Sequence, residues 1–159
     1  MATHGMIDLE TLGVDPECVV LTIGAIKFNP FSNQEPHNGL YLRCNVDEQT
    51  EMGRTVDENT LAWWGKQKPE IRDEALSDDD RTTVENVTKA INKFCVGLDY
   101  IWCQGPTFDF TILQNFYKMA GKPVPWNYWQ IRDSRTLFKM MPKDPRKAIQ
   151  SDLHNALAD

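Results

Sequence analysis

Apolar residues in the first third of the chain follow strand periodicities. Met6 to Glu10 is apolar up to its acidic end, and Cys18 to Phe28 (CVVLTIGAIKF) is long and rich in β-branched residues. His37 to Val46 alternates Leu40, Leu42 and Cys44 against Tyr41 and Arg43. Between the last two runs, Asn29 to Pro36 holds two prolines, two asparagines and a serine, the composition of a turn. Three strands joined by short turns predict an antiparallel meander.

The spacing then changes. Asp57 suits an N-cap before Leu61, Trp63 and Trp64, and Pro69 suits the opening of another short helix. After Ser77-Asp78-Asp79-Asp80, the positions Val84, Val87, Ala90, Ile91 and Phe94 keep helical spacing. They predict an amphipathic helix whose acidic start suits its dipole. Tyr100 to Gln104 reads as a short strand ended by Gly105-Pro106, and Phe108 to Ala120 as a helix ended by Gly121. Tyr128 to Ile131 is expected as a strand and Arg135 to Met141 as a helix stopped by Pro142. Lys143 to Asp152 is expected as a charged loop, and His154 to Asp159 as the start of a helix. Three antiparallel strands followed by alternating β and α units predict an α/β fold, a mixed sheet flanked by helices.

A length of 159 residues fits one domain with a self-sufficient core. Seventeen basic and 23 acidic residues leave a net charge of −6, which argues against a broad basic surface for nucleic acid. Metal ions could still supply the positive charge to hold one end of a strand. Cys18, Cys44, Cys95 and Cys103 form no CxxC pair, so neither a zinc site nor a redox pair is expected, and reduced thiols are. No apolar run reaches membrane-span length, and Met1 to Gly5 lacks the features of a signal peptide, so a cytoplasmic protein is expected.

Candidate chemistry rests on five side chains. Asp8 and Glu10 are two apart on the first strand and so share a face, where their repulsion calls for a cation. The competing reading is a pair of solvated acids on an edge strand. Asp109 follows the fourth strand at the head of a helix, between two phenylalanines. A helix-start acid favoured by the dipole explains it equally well, but partial burial would require a partner. His154 and Asp159 are five apart and cannot share a face of one regular helix. The pair is explained if His154 precedes the helix and Asp159 lies on it. Four carboxylates suit Mg²⁺ or Mn²⁺. Two such ions clamp the attacking and leaving oxygens of a phosphoryl displacement, and a histidine can take the proton of the attacking water.

The ordered set resembles the DEDDh 3′–5′ exonucleases of the RNase H-like fold. It is most similar to phage- and prophage-type exonucleases of the exodeoxyribonuclease VIII-like kind. The resemblance is carried by Met6-Ile7-Asp8-Leu9-Glu10-Thr11-Leu12-Gly13, Leu61-Ala62-Trp63-Trp64, Arg132-Asp133-Ser134-Arg135-Thr136, Asp144-Pro145-Arg146 and His154-Asn155-Ala156-Leu157-Ala158-Asp159. It implies that Asp8 bridges two Mg²⁺ or Mn²⁺ ions, with Glu10 and Asp159 on one and Asp109 on the other, and His154 as general base. It also implies that the backbone of Glu10 and Thr11, with Leu12, meets the 3′-terminal nucleotide. The expected partner is the 3′ end of DNA or RNA, single-stranded in preference. Monomer and homodimer are both left open, and the compartment is the cytoplasm, that of a bacterial host if the chain is phage-derived. The family continues past the last Asp with a full helix, so a single exonuclease domain lacking that helix, with an impaired Asp159, is expected.

Adjacent tryptophans on a helix point about 100° apart, so one of Trp63 and Trp64 is expected in the core and the other as a stacking platform for a base. Arg132, Asp133 and Arg135 are expected as an ion-pair network, with a phosphate contact as the alternative. A catalytically impaired RNase H-like module that binds nucleic acid or protein is the rival to the enzyme.

Overall fold

The computed structural model describes residues 2–148 and Ala156. A five-stranded sheet has the order β3-β2-β1-β4-β5. Strands β1 (His4–Thr11), β2 (Val20–Phe28) and β3 (His37–Arg43) are antiparallel, and β4 (Tyr100–Cys103) and β5 (Ile131–Asp133) extend the sheet in parallel with β1. This is the expected mixed sheet flanked by helices. It also removes one alternative: β1 is the middle strand, so Asp8 and Glu10 do not lie on an edge.

The helices are α1 (Val46–Glu51), α2 (Glu58–Gly65), α3 (Pro69–Leu76), α4 (Val84–Cys95), α5 (Asp109–Met119) and α6 (Ser134–Met140). Helix α4 buries Val84, Val87, Thr88, Ile91 and Phe94, and α5 buries Phe110, Ile112, Leu113, Phe116 and Tyr117. Both stripes repeat every three to four residues and pack on Ile7, Leu9, Ile23, Ala25, Ile101 and Cys103 of the sheet in one core. A second cluster joins Leu12, Val19, Leu21, Trp64 and Ala75, with Ile71 and Leu76 of α3 against it. Helix α5 ends where Gly121 takes φ +72°, and the Lys122 N–H closes on the Tyr117 carbonyl.

Several boundaries differ from the sequence expectation. The strand expected to run to Val46 stops at Arg43, because the Asn45 side chain accepts the Glu48 N–H and starts α1. The strand expected at Tyr128 to Ile131 is a 3-10 turn over Tyr128–Gln130, with β5 beginning at Ile131. Asn127 and Gln130 close a capping box there, and Gln130 donates to the Leu98 carbonyl. The acidic run Ser77 to Asp80 does not start α4; Thr83 caps that helix, with only Glu85 in its first turn. A 3-10 turn, Pro145–Ala148, occupies part of the charged loop. All four cysteines are free thiols, and no described helix is long and apolar enough to cross a membrane.

Candidate active site

Along β1 the side chains alternate. Ile7 and Leu9 enter the main core, while Asp8 and Glu10 lie half-buried on the opposite face. Gly24 lies opposite Asp8 and Thr22 opposite Glu10, so the neighbouring strand offers little bulk there.

A turn at the end of β4 presents the third acid. The Gly105 carbonyl accepts from Phe108 N at 3.0 Å and from Asp109 N at 3.4 Å. Gly105 holds φ +98°, a region costly for other residues. Asp109 thereby becomes the first residue of α5 and is 3% exposed. Its Oδ2 has no hydrogen-bond partner among the described residues. Burial, then the nearby charge of Asp8, pushes its carboxyl up to about 8, and the Arg135 guanidinium opposes the shift. The Cys103 thiol is pushed up by burial and then by Asp109, Asp133 and Asp8, so these carboxylates surround one strand end and the thiol is inert.

An unpartnered buried oxygen beside a second carboxylate fits a hard divalent cation, which would relieve both the lost hydration and the repulsion. Asp8, Glu10 and Asp109 therefore suit the implied metal. No group of three His, Cys, Asp or Glu side chains among the described residues closes on one metal-sized point. His154 and Asp159, the other two members of the expected set, lie outside the described residues. Ala156, between them, is buried.

Beyond Glu10 the backbone is clamped. Glu10 pairs with Thr22 but Thr11 with Val20, so Leu21 is the extra residue of a bulge. The Thr11 carbonyl accepts the Trp64 indole N–H at 2.9 Å. Leu12 N donates to Val19 O at 2.9 Å, and Leu12 O accepts from Asp57 N at 2.8 Å. Asp57 in turn caps α2 through Thr60 N. The helix that carries the tryptophans is thus fastened to the residue after the acids.

The tryptophans divide as their 100° offset requires. Trp64 is 2% exposed in the second core, whereas Trp63 is 42% exposed and meets the Trp64 ring edge-on at 4.9 Å. Trp64→Ala is expected to destabilise the fold by about 3–5 kcal/mol, and Trp63→Ala to leave the urea midpoint close to wild type. Equal losses would contradict this division.

The expected ion-pair network at Arg132, Asp133 and Arg135 does not form. Asp133 Oδ1 accepts from Gly105 N at 3.1 Å and from Arg135 N at 2.9 Å, and Oδ2 accepts the Thr136 hydroxyl at 2.6 Å. These bonds hold its pKa below the usual carboxylate range. Three donors leave this acid little capacity for a guanidinium. Arg132 instead donates to the Trp129 carbonyl and stacks on Tyr100, 4.0 Å from the ring centroid. The missed role of Asp133 had a signal, an Asp before a helix with Thr three residues on, the pattern of an N-cap.

The 3'-5' exoribonuclease Rv2179c-like domain family matches residues 3–159. An exodeoxyribonuclease of Enterobacteria phage T4 is 29% identical over 162 residues, covering 82% of this chain and 68% of its own. A solved exonuclease I structure superposes at TM-score 0.69 with 17% identity, covering 100% of this chain and 38% of that one. The zinc ion bound form of an E. coli exonuclease I–ssDNA complex superposes at TM-score 0.60 with 17% identity, covering 84% of this chain and 28% of that one. The chain thus spans about two thirds of the phage relative and about a third of the exonuclease I chains, with which it shares a fold.

Proposed function

Because the chain belongs to the Rv2179c-like 3'-5' exoribonuclease domain family, and is by that membership a 3′–5′ exonuclease domain, we propose that it hydrolyses the terminal phosphodiester at the 3′ end of a single strand and releases nucleoside 5′-monophosphates. The observation that carries this reading is Asp109, a buried carboxylate with an unpartnered oxygen, coupled to Asp8 on the central strand.

In this reading Asp8, Glu10, Asp109 and Asp159 hold two divalent ions, Mg²⁺ or Mn²⁺. Such a pair, when bound, supplies Lewis acidity and positive charge to a phosphodiester under attack. His154 takes the proton of the attacking water on its imidazole. The 3′-oxygen of the penultimate nucleotide leaves. The backbone of Glu10 and Thr11, with Leu12, meets the terminal nucleotide, Trp63 offers an exposed ring for stacking, and Trp64 acts from beneath by holding the Thr11 carbonyl. Base stacking contributes roughly 1–3 kcal/mol and does not depend on the sugar, so the choice between DNA and RNA rests with the contacts to the terminal 2′ position. With recognition confined to one end, few phosphates need neutralising, which suits a chain of net charge −6.

The test is a digestion panel of 5′-labelled single- and double-stranded DNA and RNA with Mg²⁺, Mn²⁺ or EDTA. The expected result is a ladder shortening from the 3′ end with either metal and none in EDTA. Asp8→Asn should abolish the ladder, keep the melting profile cooperative and weaken Mn²⁺ binding in calorimetry. A full ladder in EDTA would overturn the metal-dependent reading.

A further inference from the structure

We propose that Arg135 is a phosphate-binding residue for the substrate strand, an inference that rests on the exonuclease reading above. Its placement is built into the sheet end. The Asp133 carboxylate receives the backbone N–H of both Gly105 and Arg135, and the buried Ser134 hydroxyl donates to the Cys103 carbonyl at 3.1 Å. The start of α6 is therefore fastened to the turn that presents Asp109. The Arg135 guanidinium lies flat on Gly105: its Nη1, Cζ and Nη2 are 3.4, 3.6 and 3.7 Å from where a β-carbon would stand. A β-carbon there would stand in ordinary van der Waals contact with the guanidinium.

Among the described residues its hydrogen-bonding capacity is largely unspent. The ion pairs among the described residues are Arg43–Glu74, Arg72–Asp73, Lys89–Glu85 and Arg146–Asp144, and Arg135 is in none. Among the described residues its guanidinium makes one long hydrogen bond, from Nη2 to the Gln104 carbonyl at 3.5 Å. Other arginines are committed elsewhere. Arg54 donates to the Cys18 and Pro16 carbonyls, and Arg81 to those of Leu21, Ser77 and Ala75. Arg135 thus combines an exposed planar fork of donors, a rigid mount and adjacency to the acidic site. A guanidinium fork matches two oxygens of one phosphate, a geometry an ammonium lacks. The bound anion is a backbone phosphate of a strand whose 3′ end lies at Asp8 and Asp109. Binding there also offsets the repulsion between the acids and the incoming polyanion.

Arg135→Gln and Arg135→Lys test this in the intact chain. Equilibrium binding of a 5′-labelled single-stranded oligodeoxynucleotide is measured by anisotropy against KCl concentration in Ca²⁺ buffer, and digestion of the same strand is followed in Mg²⁺. Arg135→Gln should weaken binding about tenfold or more and reduce the log–log salt slope by about 0.7. KM should rise more than kcat falls, with the melting temperature and the Mn²⁺ affinity of the nucleic-acid-free protein unchanged. The Lys variant should regain the salt slope but only part of the affinity. Unchanged Kd and salt slope would overturn the proposal. A changed Mn²⁺ affinity with unchanged Kd would also overturn it, making Arg135 a counter-charge for Asp109. A wild-type chain that binds the strand but never digests it would instead defeat the exonuclease reading, and the binding comparison would still decide the role of Arg135.

Discussion

Asp109→Asn is expected to abolish hydrolysis while making the metal-free protein more stable at neutral and alkaline pH. The carboxyl is 3% exposed, has an unpartnered oxygen and is coupled to Asp8. Its folded-state pKa, about 8, lies above its ordinary value of 3.8. The protonated form therefore favours the fold. Its contribution is fully present below about pH 4 and is lost as pH rises through about 8, a penalty on the order of a few kcal/mol. Asparagine cannot ionise, so that slope should vanish in the variant. Thermal unfolding in EDTA at pH 4 and at pH 8.5 measures it: similar melting temperatures at the lower pH, a higher one for Asp109→Asn at the upper. Mn²⁺ should raise the wild-type melting temperature at pH 8.5 and leave the variant nearly unaffected. An equal difference at both pH values would remove Asp109 ionisation from the account, and a variant that digests at the wild-type rate would remove the residue from the site.

His154→Ala should lower kcat by about 10²–10⁴-fold, the usual contribution of a positioned base, with a much smaller change in KM. Asp8, Glu10 and Asp109 are acids suited to holding cations, and neither described histidine stands with them: His4 accepts the Trp102 indole N–H at 3.0 Å among aromatic rings, and His37 opens β3 at the far side of the sheet. In the function proposed above, the proton of the attacking water goes to the His154 imidazole. Single-turnover digestion with excess enzyme isolates the chemical step. A variant with unchanged kcat would take His154 out of the mechanism.

Much of the fold is legible in the chain because its signals are local. The stripe of α4, the Asp57 cap and the Gly121 stop each depend on a few neighbouring residues, and each lies where the pattern indicates. The errors fall where a side chain outbids local preference. Asn45 converts the expected end of a strand into a helix start, and the Gln130 side chain bends Tyr128 and Trp129 out of the sheet. Asp133 was legible as a cap, but its bond to Gly105 was not, because the two residues are 28 positions apart.

The candidate site divides in the same way. The alternation along β1 by itself puts Asp8 and Glu10 on one face, since a strand's side chains repeat every two residues. The spacing of Trp63 and Trp64 by itself requires that they face different ways. Only the tertiary structure decides that β1 is the central strand, that Trp64 is the buried ring bonded to Thr11, and that Asp109 is sealed from water beside Asp8. Those facts depend on pairings between residues about 50 to 100 positions apart. Burial and electrostatic coupling are properties of such assembled neighbours, and no local pattern carries them.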